Sequence, residues 1–236
     1  MPFSADTCHI VLDINERSLI ESVMRKPIHP QRTLGRPINS EARAQRRAQI
    51  LDGARACFLR KGFHAATTAE ISAEAGVSVA NLYQYFPAKD DLVKALIEDD
   101  LAEDLALVRV VEEAGSLREG LETIGVLLAA EPAYVEQTRL KLEIVAEAAR
   151  NPVIAAVVED ADAKMVKAMA ALLERRQHAG EVCKDADATV IAHLILALYD
   201  GLYGRLAFSS ENAAAMTLAA NQMIIAAFTE GSQPGA

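Results

Sequence analysis

The chain has 236 residues, 51% of them hydrophobic, no Trp and a formal net charge of -9. That length suffices for one large or two modest domains with a sizeable core, and an Ala-rich, Trp-free composition favours helices over strands. No run of about twenty apolar residues is present to cross a bilayer, and no basic region followed by an apolar stretch marks a secretory leader. The sequence therefore reads as a cytoplasmic protein.

Charge is unevenly placed. From Arg32 to Lys89 there are nine Lys or Arg against four Asp or Glu, whereas from Asp90 to Ala236 there are twelve against twenty-five. A basic head on an acidic body fits contact with duplex DNA by one end of the molecule. The three cysteines, Cys8, Cys57 and Cys183, have no metal-ligand spacing and read as free thiols in a reducing compartment. Cys57 falls in an apolar helix stripe; Cys183, near a helix end, has a redox-sensing alternative.

In chain order, residues 1–31 show little pattern. Met24-Arg25-Lys26-Pro27 reads as an alternative start, which makes residues 1–23 an upstream extension, expected to be mobile. Gly35-Arg36-Pro37, within residues 32–39, reads either as a basic minor-groove arm carrying Arg36 or as a solvated linker. Ser40 then caps a predicted helix with Arg43, Arg46 and Arg47 outside and Ile50, Leu51, Ala54, Cys57 and Phe58 inside, ending at Gly62. Its arginines, Arg47 among them, are candidates for DNA-backbone contact; a solvated charged face is the alternative.

Thr67, Thr68 and Glu70 carry the signature of a capping box, and Ile71 with Ala75 gives a short apolar stripe. Gly76 suits a left-handed helix end, Val77 can pack in the corner, and Ser78 can cap a second short helix that Pro87 stops. Two short helices joined by a Gly-containing turn form a helix-turn-helix, whose second helix enters the major groove. Leu82 and Phe86 face the core by their spacing, while Val79, Ala80, Asn81 and Gln84 fall on other faces. Tyr83 and Tyr85 place hydroxyls near phosphates, with packing the alternative for each and weighing more on Tyr83.

The string G-V-S-x-x-x-L-Y-x-Y-F-x-x-K, preceded by T-T-x-x-I-x-x-x-A, resembles the signature of the TetR family of transcriptional regulators. The resemblance implies an all-α fold with an N-terminal extension or arm over residues 1–39, a DNA-binding domain over 40–88 and a helical ligand-binding and dimerisation domain over 89–236. It also implies that Thr67 and Thr68 contact the DNA backbone, that Val79, Ala80 and Asn81 face bases, and that Tyr83, Gln84, Tyr85 and Lys89 grip phosphates. Val79 stands where many members have Lys or Gln, so readout from that position is apolar. Asn81 and Gln84 can pair with adenine, and Val79 and Ala80 can touch thymine methyls, which predicts A and T at those positions.

Beyond Lys89, helical periodicity runs to the end. A connecting helix carries Leu92, Leu96, Leu101, Leu105 and Val108; others are expected from Ser116 to Ala130, Tyr134 to Arg150, Val153 to Ala179, Asp185 or Asp187 to Phe208, and Ser210 to Thr229. The last two are apolar on more than one face, which leaves a stripe to be covered. The family resemblance implies that they form the four-helix interface of a homodimer whose heads address half-sites about 34–36 Å apart, or a multiple of that, in a near-palindromic operator.

The same resemblance implies a body pocket for a small-molecule inducer. Polar residues amid the apolar stripes make Tyr134, Arg139, Glu143, Glu147, His193, Tyr199 and Tyr203 the candidate lining. Glu143 and Glu147 share a face and suit a cationic ligand, although pairing with Lys141 or Arg150 is an equally local explanation. The function expected is a ligand-responsive DNA-binding repressor without cofactor or metal. The alternatives are a regulator whose body binds a protein partner and an all-helical enzyme, for which no nucleophile–base pair, zinc-ligand set or phosphate-binding loop is found.

Overall fold

The computed structural model describes residues 37–130, 133–208 and 213–228, and all the described secondary structure is helical. Residues 32–36 of the expected arm, Arg36 among them, and the two chain ends lie outside these residues, as does the side chain of Tyr134, while Pro37–Asn39 of that arm are helical.

Helix α1 spans Pro37–Ala65, starting three residues before the expected Ser40. Gly62 interrupts it with φ 76 and ψ 166, a conformation that only Gly adopts cheaply, so the chain turns there as its sequence predicts. Helix α2, Thr68–Glu74, opens on the capping box: Thr67 Oγ1 accepts from Glu70 N at 3.2 Å and Thr67 N donates to the Glu70 carboxylate at 3.1 Å. It closes with a Schellman arrangement, Val77 N to Ser72 O at 2.9 Å and Gly76 N to Ala73 O at 3.1 Å, with Gly76 at φ 61. Helix α3, Val79–Tyr85, is capped by Ser78, whose hydroxyl accepts from Asn81 N at 3.1 Å.

Helix α4, Lys89–Glu113, connects this head to the body. The body continues with α5 (Leu117–Ala130), α6 (Ala133–Ala148), α7 (Pro152–His178), α8 (Ala188–Leu206) and α9 (Ala213–Phe228). Ser116 caps the start of α5, Asn151 caps α7 and Asp187, rather than Asp185, caps α8. Asn151-Pro152 thus acts twice, ending one helix and starting the next, since Pro at the first helical position loses no needed hydrogen bond. Ser210, expected to open α9, lies outside the described residues.

Two main hydrophobic clusters hold the described chain together. One joins Ile50, Ile71, Leu82, Phe86, Leu92 and Leu96 of the head and upper α4 to Leu140, Ile144 and Ile154 of α6 and α7. Each fully buried aliphatic side chain here contributes about 1.5–3 kcal/mol relative to exposure. The other fills the far end of the body with Val108, Val111, Leu121, Leu172, Ile191 and Ile224, among others. Arg176 of α7 ties this end to the last turn of α4: its guanidinium donates to Val111 O at 2.7 Å and Ala114 O at 2.9 Å and pairs with Glu181 at 2.9 Å. Orphan carbonyls at a helix end are satisfied in this way without water.

Candidate nucleic-acid interface and body cavity

The exposed face of the head is set by what its other face buries. Leu82 is fully buried and Phe86 nearly so, as their spacing requires, which turns Val79, Ala80 and Gln84 outward and leaves Asn81 half-buried. Asn81 Nδ2 donates to Gln84 Oε1 at 3.2 Å, so the two amides sit side by side on one turn of α3. Thr68 Oγ1 and the Tyr83 hydroxyl lie 3.2 Å apart, linking the start of α2 to α3, while Thr67 is occupied with its own cap.

Packing, the alternative that weighs more on Tyr83 in the sequence, falls on Tyr85. Tyr83 is 45% exposed, whereas Tyr85 packs against the head core with the Arg43 guanidinium 5.3 Å from its ring centre. Lys89 is turned inward: its ammonium donates to Phe63 O, lies 3.4 Å from His64 O and stands 4.3 Å from the Phe63 ring centre. Burial pulls it below the ordinary lysine range, offset in part by Glu147 and Asp90. It serves the broken end of α1 rather than reaching outward. Arg47 is shared between Asp99, at 3.4 Å, and the face of Phe86, at 5.8 Å. Arg46 bonds Gln49 at 2.9 Å, and Gln49 in turn donates to Ala75 O at 2.6 Å, bracing the turn.

The body holds a half-open cavity of about 460 Å³ between α4, α5, α6, α7, α8 and α9. Of the seven candidate lining residues, Tyr199 and Tyr203 border it, their rings stacked at 5.7 Å. Four others do not. Arg139 is exposed and donates from Nε to Ala207 O at 2.8 Å; Glu143 and His193 are exposed elsewhere; and Glu147 is buried against the head, its carboxylate 2.8 Å from His64 Nε2 and 3.5 Å from Arg150. The polar wall is instead made by Asp100 and Asp104 of α4, Gln137, Thr138 and Lys141 of α6, Asp162 of α7 and Asp200 of α8. The signal in the sequence was Asp100 and Asp104, four apart within the apolar stripe of α4, where solvated charges have no reason to lie.

Asp100 is 6% exposed and burial pushes its carboxyl above the usual range, against the pull of Arg55, whose Nη1 lies 3.2 Å away. Lys141 pairs with Asp104 at 2.8 Å; burial pulls it down, but Asp104, Asp100 and Asp200 together hold it above the ordinary lysine value. Tyr199 donates to the buried Asn221 Oδ1, and Asn221 Nδ2 donates to Leu121 O at 2.6 Å. Cys57 is buried as expected, and burial pushes its thiol up.

Residues 50–96 match the family of bacterial regulatory proteins, tetR family, and residues 117–230 match the C-terminal region of BetI-type transcriptional repressors. The chain is 30% identical over 169 residues to the HTH-type transcriptional regulator UidR of Escherichia coli K12, covering 70% of this chain and 83% of UidR. The chain belongs to the TetR family. It is also 31% identical over 172 residues to the HTH-type transcriptional repressor Rv1474c of Mycobacterium tuberculosis, covering 72% of this chain and 87% of that protein. The solved structure of Salmonella enterica GusR superposes with a TM-score of 0.69 at 28% identity, over 83% of this chain and 98% of GusR. As a TetR-family member the protein is a DNA-binding transcriptional regulator, and its helix-turn-helix is the pair α2 and α3. Among the described residues no helix is long and apolar enough to cross a membrane.

Proposed function

We propose that the protein is a cytoplasmic repressor that holds a near-palindromic operator as a two-fold dimer and lets go when a small molecule fills the body cavity; we assign no residue a catalytic role. One observation carries the ligand-responsive part: Ile97 and Ile144 line the cavity and also belong to the hydrophobic cluster of the head. A ligand that displaces either side chain acts directly on the packing that orients α2 and α3. A 100-fold preference of the ligand for the released state shifts the equilibrium by about 2.7 kcal/mol.

In this reading residues 40–88 read DNA and the rest of the chain senses and dimerises. Val79, Ala80 and Asn81 face bases, Gln84 supports Asn81, and Tyr83, Thr67 and Thr68 meet the backbone, with Arg47 and Arg36 flanking. Lys89 positions the head through the end of α1, and Tyr85 does so through Arg43. The dimer face runs along α8 and α9, where Val190 is 55%, Leu194 56% and Met223 62% exposed, with His193 on the same side. Naming of similar proteins as repressors supports the sign of regulation.

Genome-wide selection of bound DNA, followed by mobility shifts across salt, tests this reading. The expected outcome is a palindromic site bound with an affinity that falls steeply as salt rises. Asn81→Ala should change preference at one or two base pairs, worth about 1–3 kcal/mol of discrimination, while Tyr83→Phe should weaken all sites alike. Failure to retain any duplex at low salt would overturn it.

A further inference from the structure

The body cavity is divided along its length. On α4 the lining runs from Ile97 through Asp100 and Asp104 to Val108 and Val111; on α7 it runs from Val158 through Asp162 to Leu172 and Leu173. On α8, which packs on α7, Tyr199 and Asp200 follow Ile195. Helix α6 supplies Lys141 to the polar section, and α5 supplies only apolar groups, Leu117, Leu121 and Ile124. The cavity thus has an ionisable section, bounded toward the head by Ile97, Ile144 and Val158, and a hydrocarbon end away from the head.

The ionisable section is short of cations. Four carboxylates, Asp100, Asp104, Asp162 and Asp200, border it, and Lys141 is the cation in the lining, joined from behind by Arg55 on Asp100. Partial burial pushes the Asp200 carboxyl above its ordinary value; Lys141 pulls it back and Asp162 adds to the rise. Asp100 and Asp104 are paired with Arg55 and Lys141, which leaves Asp162 and Asp200, both at exposed positions, to attract a positive ligand group, the more strongly once the ligand displaces their water. An anionic ligand head would meet the same field with the opposite sign.

We infer that the cavity takes an amphipathic cation, an alkyl- or arylammonium whose charged group lies between Asp162 and Asp200 and whose hydrocarbon part enters between α4, α5 and α7. This rests on the cavity being the effector site and adds the chemical class of the effector. Leu142 and Val145, exposed yet part of the lining, give the hydrocarbon part an apolar rim to cross on entry.

The test uses the full chain and three probes with one tail: octyltrimethylammonium, octyl sulfate and octyl glucoside, each below its micellar range, by isothermal titration calorimetry and by release of bound operator DNA. The ammonium should bind at least about tenfold more tightly than the sulfate, equivalent to about 1.4 kcal/mol. Asp162→Asn and Asp200→Asn, both at exposed positions, should each weaken the ammonium several-fold and leave the glucoside unchanged. Met169→Trp, at the hydrocarbon end, should block it. Binding that Met169→Trp blocks but that favours the sulfate or the glucoside, or that ignores both Asn substitutions, overturns the cationic assignment and leaves the effector site standing. No binding by any probe, or binding indifferent to Met169→Trp, overturns both.

Discussion

Arg55 of α1 donates from Nη1 to Asp100 Oδ1 of α4 at 3.2 Å, so a carboxylate in the cavity wall is neutralised by a guanidinium of the DNA-reading head. Removing one partner of a largely buried pair leaves the other charge without compensation. Arg55→Ala should therefore destabilise the protein by about 3 kcal/mol in urea unfolding. Without Arg55 the Asp100 carboxyl, already above its ordinary value, rises further. A carboxyl raised in the folded state binds its proton more tightly than the unfolded chain does, so stability falls as pH rises above the ordinary Asp value. The deficit should accordingly be smaller at pH 5 than at pH 7.5.

Gly53 lets α1 and the turn after α2 touch. A Cβ there would lie 2.8 Å from Ala75 Cβ and 2.9 Å from Ala75 N, and the backbone atom cannot swing aside. Gly53→Ala should cost about 1–3 kcal/mol in thermal or denaturant unfolding, despite the better helix propensity of Ala. Wild-type stability in that variant would show that the turn yields easily.

Glu70 ties the cap of α2 to pH. The Lys61 ammonium beside it, with the Thr67 N–H and hydroxyl, brings its carboxyl down to about 2. The unfolded chain titrates near the ordinary Glu value of 4.5. A depressed folded pKa gives stability that is fully present above the unfolded value and lost as pH falls towards the folded one. Glu70→Gln should flatten the acid limb of the stability curve between those two values, and a carboxyl NMR titration should find Glu70 titrating below the other exposed glutamates.

Leu194 stands exposed near the middle of α8, one turn from Val190. Leu194→Glu should leave the monomer fold intact, by circular dichroism, while lowering the sedimenting mass to that of one chain. DNA affinity should fall with it, because two half-sites bound independently lose the gain of a shared frame.

The head was readable because its determinants are local. Thr67 with Glu70, Gly76 in the left-handed region and Ser78 at the next cap act over three or four residues, so their chemistry is visible in a short string. Lys89 was not readable, since the carbonyls that hold it belong to Phe63 and His64, 26 and 25 positions away. Tyr83 and Tyr85 lie two residues apart on a short helix, and it takes the assembled head core, with Arg43 over the Tyr85 ring, to decide which ring is covered. In the body the helices were legible from periodicity, but the cavity lining was not. Arg139 and Glu147 look like pocket groups until Ala207 and His64 are found beside them, and the position of Asp100 in the apolar stripe of α4 does not say that its partner is Arg55, 45 positions away.

Leu140, Ile144 and Ile154 belong to the same hydrophobic cluster as Ile50, Leu82 and Leu92. A fragment cut after residue 88 would lose Leu92, Leu96 and those three partners together, and would not stand alone as a small reader of DNA. Anyone building a chimaeric biosensor from this regulator would have to graft the facing turns of α6 and α7 along with the reading helices, or redesign the seam between the two parents.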